Sequence, residues 1–165
     1  QDRCEMAPHR SERTGRKATQ TISKHHIMTK FVKVLRYLWE LPQNLLGFTL
    51  FQIYSIDCYC MESPYGDARV LYSEKMKGGI SLGRYIILPW KYREYGKGSF
   101  IEKTHKHEYG HTRQSLRLGW LFLLVIGIPS ITWAWMHSTF KKFQTVDYYS
   151  FFTEKWADRL GGVKR

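Results

Sequence analysis

The sequence predicts a helix-rich α+β domain: a helix that carries the chemistry, a second helix that completes it, and a small β-sheet. Three observations lead there. Residues 99–119 and 147–162 each sit between a helix start signal and a glycine stop. Residues 68–73 and 79–88 have the short, apolar, turn-bounded pattern of strands. Residues 29–41 place their apolar side chains at helical spacing. A chain of 165 residues is sized for one domain with a sizeable core.

The N-terminal stretch 1–27 mixes Arg and Lys with Ser, Thr, Gln and His and lacks apolar periodicity. It reads as a disordered basic extension, leaving 28–165 as the domain. It has no apolar core of the kind a secretory signal needs, and Met28 is a candidate natural start.

In residues 29–41, Phe31, Val34, Leu35, Leu38 and Trp39 share one face, and Pro42 interrupts the pattern. Residues 44–56 form a second apolar segment. Two readings stand for the pair: helices that cover the core, which the pattern favours, or a basic, aromatic element at a membrane surface. Cys4, Cys58 and Cys60 make an odd count, without C-x-x-C spacing. They read as reduced thiols of a cytoplasmic protein.

Residues 68–73 read as one strand and 79–88 as another, with Ile80, Leu82, Ile86 and Leu88 on one side. Residues 90–98, rich in Tyr, Lys, Arg and Gly, read as an exposed loop.

Ser99 followed by Glu102 is a capping box, and Gly119 is a stop. The helix between them holds His107-Glu108-Tyr109-Gly110-His111, the pattern H-E-x-x-H. On a helix, two imidazoles four residues apart share a face and can grip one zinc ion, and the glutamate between them can polarise a water at that ion. The bland reading is a structural pair of helix-face histidines.

Residues 118–135 carry no charge and span about 27 Å as a straight helix, a little under a bilayer core. Arg113 and Arg117 precede them, and Lys141 and Lys142 follow. Gly127 and Pro129 suggest a break, so the segment is expected to return as a hairpin.

Asp147 is a candidate N-cap and Gly161-Gly162 a stop. Glu154 and Asp158 share a face of the helix between them. Glu154 can be the third metal ligand, and Asp158 can bind the far nitrogen of a ligating histidine. His137, Tyr148 and Tyr149 are candidate electrophilic groups for a transition state. Their plainer readings are a surface histidine and tyrosines packed at a helix start.

H-E-x-x-H followed by E-x-x-x-D on a later helix resembles the glutamate-type zincin metallopeptidases, the thermolysin-like clan. The resemblance implies a minimal zincin-like fold with one Zn2+ ion held by His107, His111 and Glu154. It implies Glu108 as general base and Asp158 as the orienting aspartate. It also implies a peptide or protein substrate paired along an edge strand, for which Gly79, Ile80, Ser81, Leu82, Gly83 and Arg84 are the candidates. A second resemblance runs from Gly79–Gly83 through His107–Ser115 to Thr153–Gly162. It is to small bacterial proteins with H-E-x-G-H, then Gln-Ser, Gly-Ile-Pro-Ser and T-E-x-W-A. The gap between His111 and Glu154 is 43 residues (154 − 111), and it holds the apolar stretch.

The expected activity is zinc-dependent peptide or amide hydrolysis. The alternative is a non-enzymatic membrane-associated protein using residues 29–41 and 118–135. The net charge of +12 suits an anionic partner surface, or solubility charge plus a basic tail. No nucleic-acid reader pattern appears, so nucleic acid is an unlikely partner. The expected setting is cytoplasmic, with peripheral membrane contact.

Overall fold

The computed structural model describes residues 30–55, 59–62 (backbone only), 68–93 and 100–165. The extension 1–27, Cys4, Cys58, Ser99 and residues 94–98 lie outside the described residues. Two units divide the chain, residues 1–36 and residues 37–165.

Helix α1 covers residues 30–39, and α2 covers Leu41–Tyr54 with Pro42 in its first turn, where a missing N–H goes unfelt. Then come β1 (Tyr59–Glu62), β2 (Arg69–Ser73), β3 (Ile80–Leu82), β4 (Tyr85–Pro89) and α3 (Phe100–Leu118). After α3 the chain forms a 3-10 turn (Gly119–Leu121), a π-helical turn (Leu123–Gly127), α4 (Ile128–Thr139) and short α5 (Lys141–Gln144). A 3-10 turn (Tyr148–Ser150) and α6 (Phe152–Gly161) complete it. The fold is helix-rich α+β with one small mixed sheet.

The sheet order is β1-β2-β4-β3. β2 and β4 are parallel, with Leu71 opposite Ile87, and the outer pairs are antiparallel. All five residues of β4 are buried, as expected of a strand covered on both faces. On one face Phe51 of α2 packs with Leu71, Tyr85 and Ile87. On the other, Val70, Tyr72, Ile86 and Leu88 pack together, and the Tyr72 hydroxyl meets His105 of α3 at 2.8 Å.

The stretch expected as one strand, 79–88, is a hairpin. Gly83 adopts φ +60° and, with Arg84, reverses the chain, so Ile80 lies opposite Ile87. Ile80 therefore packs with Ile87, not with Ile86 and Leu88. The Asn44 side chain accepts from the Arg84 amide at 3.0 Å, tying the turn to α2.

Of the two helices expected to cover the core, α2 does so through Phe51, with Leu50 and Tyr54 packed beside it, whereas α1 leaves its apolar face exposed. Phe31, Val34, Leu35, Leu38 and Trp39 are exposed. α2 buries Gln43, Asn44, Gly47 and Phe51 while Leu45, Leu46, Phe48 and Ile53 face outward. The inward-facing Gly47 leaves no room for a side chain, since a Cβ there would lie 2.5 Å from the Leu82 carbonyl oxygen.

The apolar segment also breaks elsewhere than expected. α3 ends where predicted, at Gly119, which adopts φ +52° beneath the Trp39 ring. Pro129 is absorbed in the first turn of α4, after a π-turn. The chain then reverses at Phe140, whose backbone is extended. No helix among the described residues is long and apolar enough to cross a membrane. The return leg packs back on α4: the Trp133 indole donates to the Tyr148 carbonyl at 2.9 Å.

Candidate metal centre

Two glycines bring α3 and α6 into backbone contact. A Cβ on Gly110 would lie 2.0 Å from the Ala157 carbonyl oxygen, and one on Gly161 would lie 1.9 Å from that of Lys106. Only glycine permits this approach, and the approach lets side chains of the two helices share one small volume.

His107 and His111, one turn apart on α3, face Glu154 on α6. The three are buried, and their ligand atoms lie within 4.8 Å of one another. His107 Nε2 is 3.1 Å from Glu154 Oε2, and His111 Nε2 is 3.5 Å from the same oxygen. This proximity is incompatible with a single full membrane crossing between His111 and Glu154.

The far side of each ring is already occupied. His107 Nδ1 lies 2.7 Å from Asp158 Oδ1, and His111 Nδ1 lies 2.7 Å from Gln114 Oε1. Gln114 Nε2 donates to the Thr153 carbonyl at 2.8 Å, which orients the amide so that its oxygen faces His111. Both Nδ1 atoms therefore donate, and both Nε2 lone pairs point toward a carboxylate oxygen. That convergence of lone pairs is repulsive unless a cation sits among them. The donor set fits a divalent ion: two imidazoles and one carboxylate. This buried group can hold a metal ion.

Electrostatics reports the same demand. Burial disfavours the charged His107 ring, yet hydrogen bonds to Asp158 and Glu154 outweigh it and raise its pKa to about 9. Burial would likewise raise Glu154, but hydrogen bonds with His107 and His111 hold it far below the usual carboxylate range. Without a metal, a proton serves as the cation.

The Glu154 carboxylate is further fixed through its other oxygen. Thr153 Oγ1 donates to Oε1 at 2.9 Å, and Ser130 Oγ of α4 donates there too. Asp158 is gripped by Arg165, Nε to Oδ2 at 2.6 Å, and that guanidinium stacks on the Tyr149 ring. Burial works to raise Asp158, but hydrogen bonds from His107 and Arg165 lower it.

Glu108 is buried beside the edge strand. Ser81 Oγ of β3 donates to Glu108 Oε2 at 2.6 Å, and a Cβ on Gly79 would lie 2.1 Å from Glu108 Oε1. The candidate edge segment thus divides: Ile80, Ser81 and Leu82 form β3, Gly79 precedes it, and Gly83 with Arg84 makes its turn.

Of the candidate electrophiles, Tyr148 and Tyr149 border the ligands. Tyr149 packs edge-on against His107, and Tyr148 packs edge-on against Tyr149. Burial first, then the charges of Glu154 and Glu108, push the Tyr148 hydroxyl well above the usual phenol range, so it stays a donor. His137 is placed differently. Its ring lies against Trp133 and Tyr148, and its Nε2 bonds to the Val146 carbonyl at 3.0 Å.

Asp147 caps the turn Tyr148–Ser150, accepting from the Tyr149 amide at 3.2 Å, and α6 starts later, at Phe152. Its stop is where expected: Gly162 adopts φ +73°. Glu102 of the expected capping box pairs with Lys106 at 2.7 Å. The contributions of Gln114, Ser130, Thr153 and Arg165 were not assigned from the sequence. The only sequence signal for the first three is the Gln-Ser, Gly-Ile-Pro-Ser and T-E-x-W-A pattern. Compared with protein-family models, curated proteins and solved structures, the chain matches none.

Proposed function

We propose that the chain is a metal-dependent hydrolase of peptide or amide bonds, with zinc as the ion. The observation that carries this reading is the convergence of His107 Nε2, His111 Nε2 and Glu154 Oε2, beside the buried carboxylate of Glu108. When bound, zinc supplies Lewis-acid polarisation of a carbonyl and lowers the pKa of water toward about 7.

The chain's own residues supply the remainder. Asp158 and Gln114 hold both imidazoles in the tautomer that leaves Nε2 free to ligate. Glu108 takes a proton from the attacking water and delivers it to the leaving amine. Ser81 orients that carboxylate and sets β3 against it, where an extended peptide can add to the sheet edge. Tyr148, kept protonated, is a donor for charge that develops on the carbonyl oxygen.

Metal content measured by mass spectrometry, with hydrolysis of a fluorogenic peptide library, tests the reading. One zinc per chain is expected, reduced in both His111→Ala and Glu154→Ala. Glu108→Gln is expected to keep the ion and lose hydrolysis by at least a hundredfold. Undiminished hydrolysis in Glu108→Gln, or no bound metal in the untreated protein, overturns it.

A further inference from the structure

Two elements of this fold turn large apolar side chains outward. α2 has no charged residue, buries Gln43 and Asn44, and turns Leu45, Leu46, Phe48 and Ile53 outward. The run Leu118–Phe140 has no Asp, Glu, Lys or Arg, and it too faces outward with apolar side chains. Trp120 is 61 % exposed, and Leu124 and Ile131 are each 64 % exposed. On α4 the two faces differ in kind. Ser130 and Trp133 point inward, to Glu154 and Tyr148, while Ile128, Ile131 and Trp135 point away.

A helix that buries its amides and exposes its leucines is reversed for water but ordered correctly for hydrocarbon. The two elements are joined where Gln43 donates to the Gly119 carbonyl at 2.9 Å, and the Trp120 indole donates to the Leu38 carbonyl of α1 at 2.8 Å beside it.

The charges around this surface select its partner. No Asp or Glu occurs between Glu40 and Asp57, or between Glu108 and Asp147. The exposed charges nearest the apolar run in sequence are cationic, Arg113 and Arg117 before it and Lys141 and Lys142 after it, with Asp147 the first anion beyond. Trp39, Trp120 and Trp135, all exposed, supply the amphipathic rings favoured at the headgroup level. A protein partner requires no one-signed rim, whereas an anionic bilayer attracts one.

We propose that α2 and the 118–140 run form a lipid-docking surface that inserts its leucines and tryptophans into an anionic bilayer, with Arg113, Arg117, Lys141 and Lys142 at the headgroups. The metal centre lies behind the inward face of α4, so the docked chain holds its site close to the membrane. The docking itself does not depend on the hydrolase reading.

Flotation of the full chain with phosphatidylcholine vesicles, with and without phosphatidylserine, tests this. The chain is expected to float with the anionic vesicles, and flotation is expected to weaken as salt is raised. The triple variant Leu45→Asp, Leu124→Asp, Ile131→Asp changes only exposed positions and is expected to lower the bound fraction at least tenfold with unchanged circular dichroism. If the triple variant loses helicity, Lys141→Ala with Lys142→Ala decides. Weaker capture by anionic vesicles supports the proposal, and unchanged capture overturns it. Wild-type chain left at the bottom of both gradients also overturns it. So does a wild-type dimer without lipid that the triple variant dissociates while flotation stays unchanged, since a second copy would then be the occupant.

Discussion

Replacing Gly110 with Ala sets two physical effects against each other. In an isolated helix the change stabilises by about 1 kcal/mol, because alanine gives up less backbone freedom. Here the new Cβ would lie 2.0 Å from the Ala157 carbonyl oxygen and 2.6 Å from its carbon. Ordinary contact is about 3.5 Å, so α6 must retreat by roughly 1 to 1.5 Å. Overpacking of this kind costs about 1–3 kcal/mol, and backbone against backbone belongs at the upper end. The net expectation is a loss of about 2 kcal/mol, or roughly 6 °C in melting temperature for a domain of this size. The retreat matters more for the site. Metal ligands tolerate about 0.2 Å of displacement, so Glu154 would be drawn out of reach of one or both histidines. Zinc affinity, measured by competition with a chromophoric chelator, is expected to fall at least tenfold. A melting temperature that rises by the increment expected from helix propensity, with unchanged affinity, would refute the claim that backbone contact sets the site.

Two further outcomes follow from the same geometry. Asp158→Asn keeps the shape of the side chain but removes the charge behind His107, and should weaken zinc binding about 10- to 100-fold with the fold intact, as chelator competition can show. The third concerns His105, whose pKa burial lowers below 6.5 despite the opposing pull of the Ile101 hydrogen bond and the Glu108 charge. Its Nδ1 donates to the Ile101 carbonyl and its Nε2 accepts from Tyr72, so the neutral ring is the one that fits. The unfolded chain then binds the proton more readily than the folded one, and stability should fall as pH drops below about 6.5. In His105→Gln that part of the acid sensitivity should disappear from denaturant melts at pH 7 and pH 5.

Much of the site was legible because it rests on local periodicity. The spacing of His107 and His111, and of Glu154 and Asp158, is a property of one helix each, and Gly119 and Gly162 end those helices by their positive φ. What escaped depends on segments meeting. Ser130 and Arg165 act on partners that sequence spacing does not place, and Gln114, though one turn from His111 on α3, has its amide oriented by the Thr153 carbonyl. Residues 44–56 read as an apolar segment, and such a run does not say which of its residues face inward. α2 in fact buries Gln43, Asn44, Gly47 and Phe51 and leaves Leu45, Leu46, Phe48 and Ile53 outside. The hairpin at Gly83 was hidden because alternating residues on both sides of one glycine mimic a single longer strand.

The short contact between Glu154 and the two histidines has a topological side. An ion shared by His111 and Glu154 would act as a clasp on a closed ring of chain 43 residues around (154 − 111), with the uncharged run 118–140 as its arc. By analogy with a covalent cross-link, closing a ring of that length removes about 4 kcal/mol of chain entropy from the unfolded state. The apolar arc would then be shaped by a clasp at its base, and unclasping it would free the most water-averse part of the molecule first. For such a chain, metal supply would govern how much greasy surface the cell must manage.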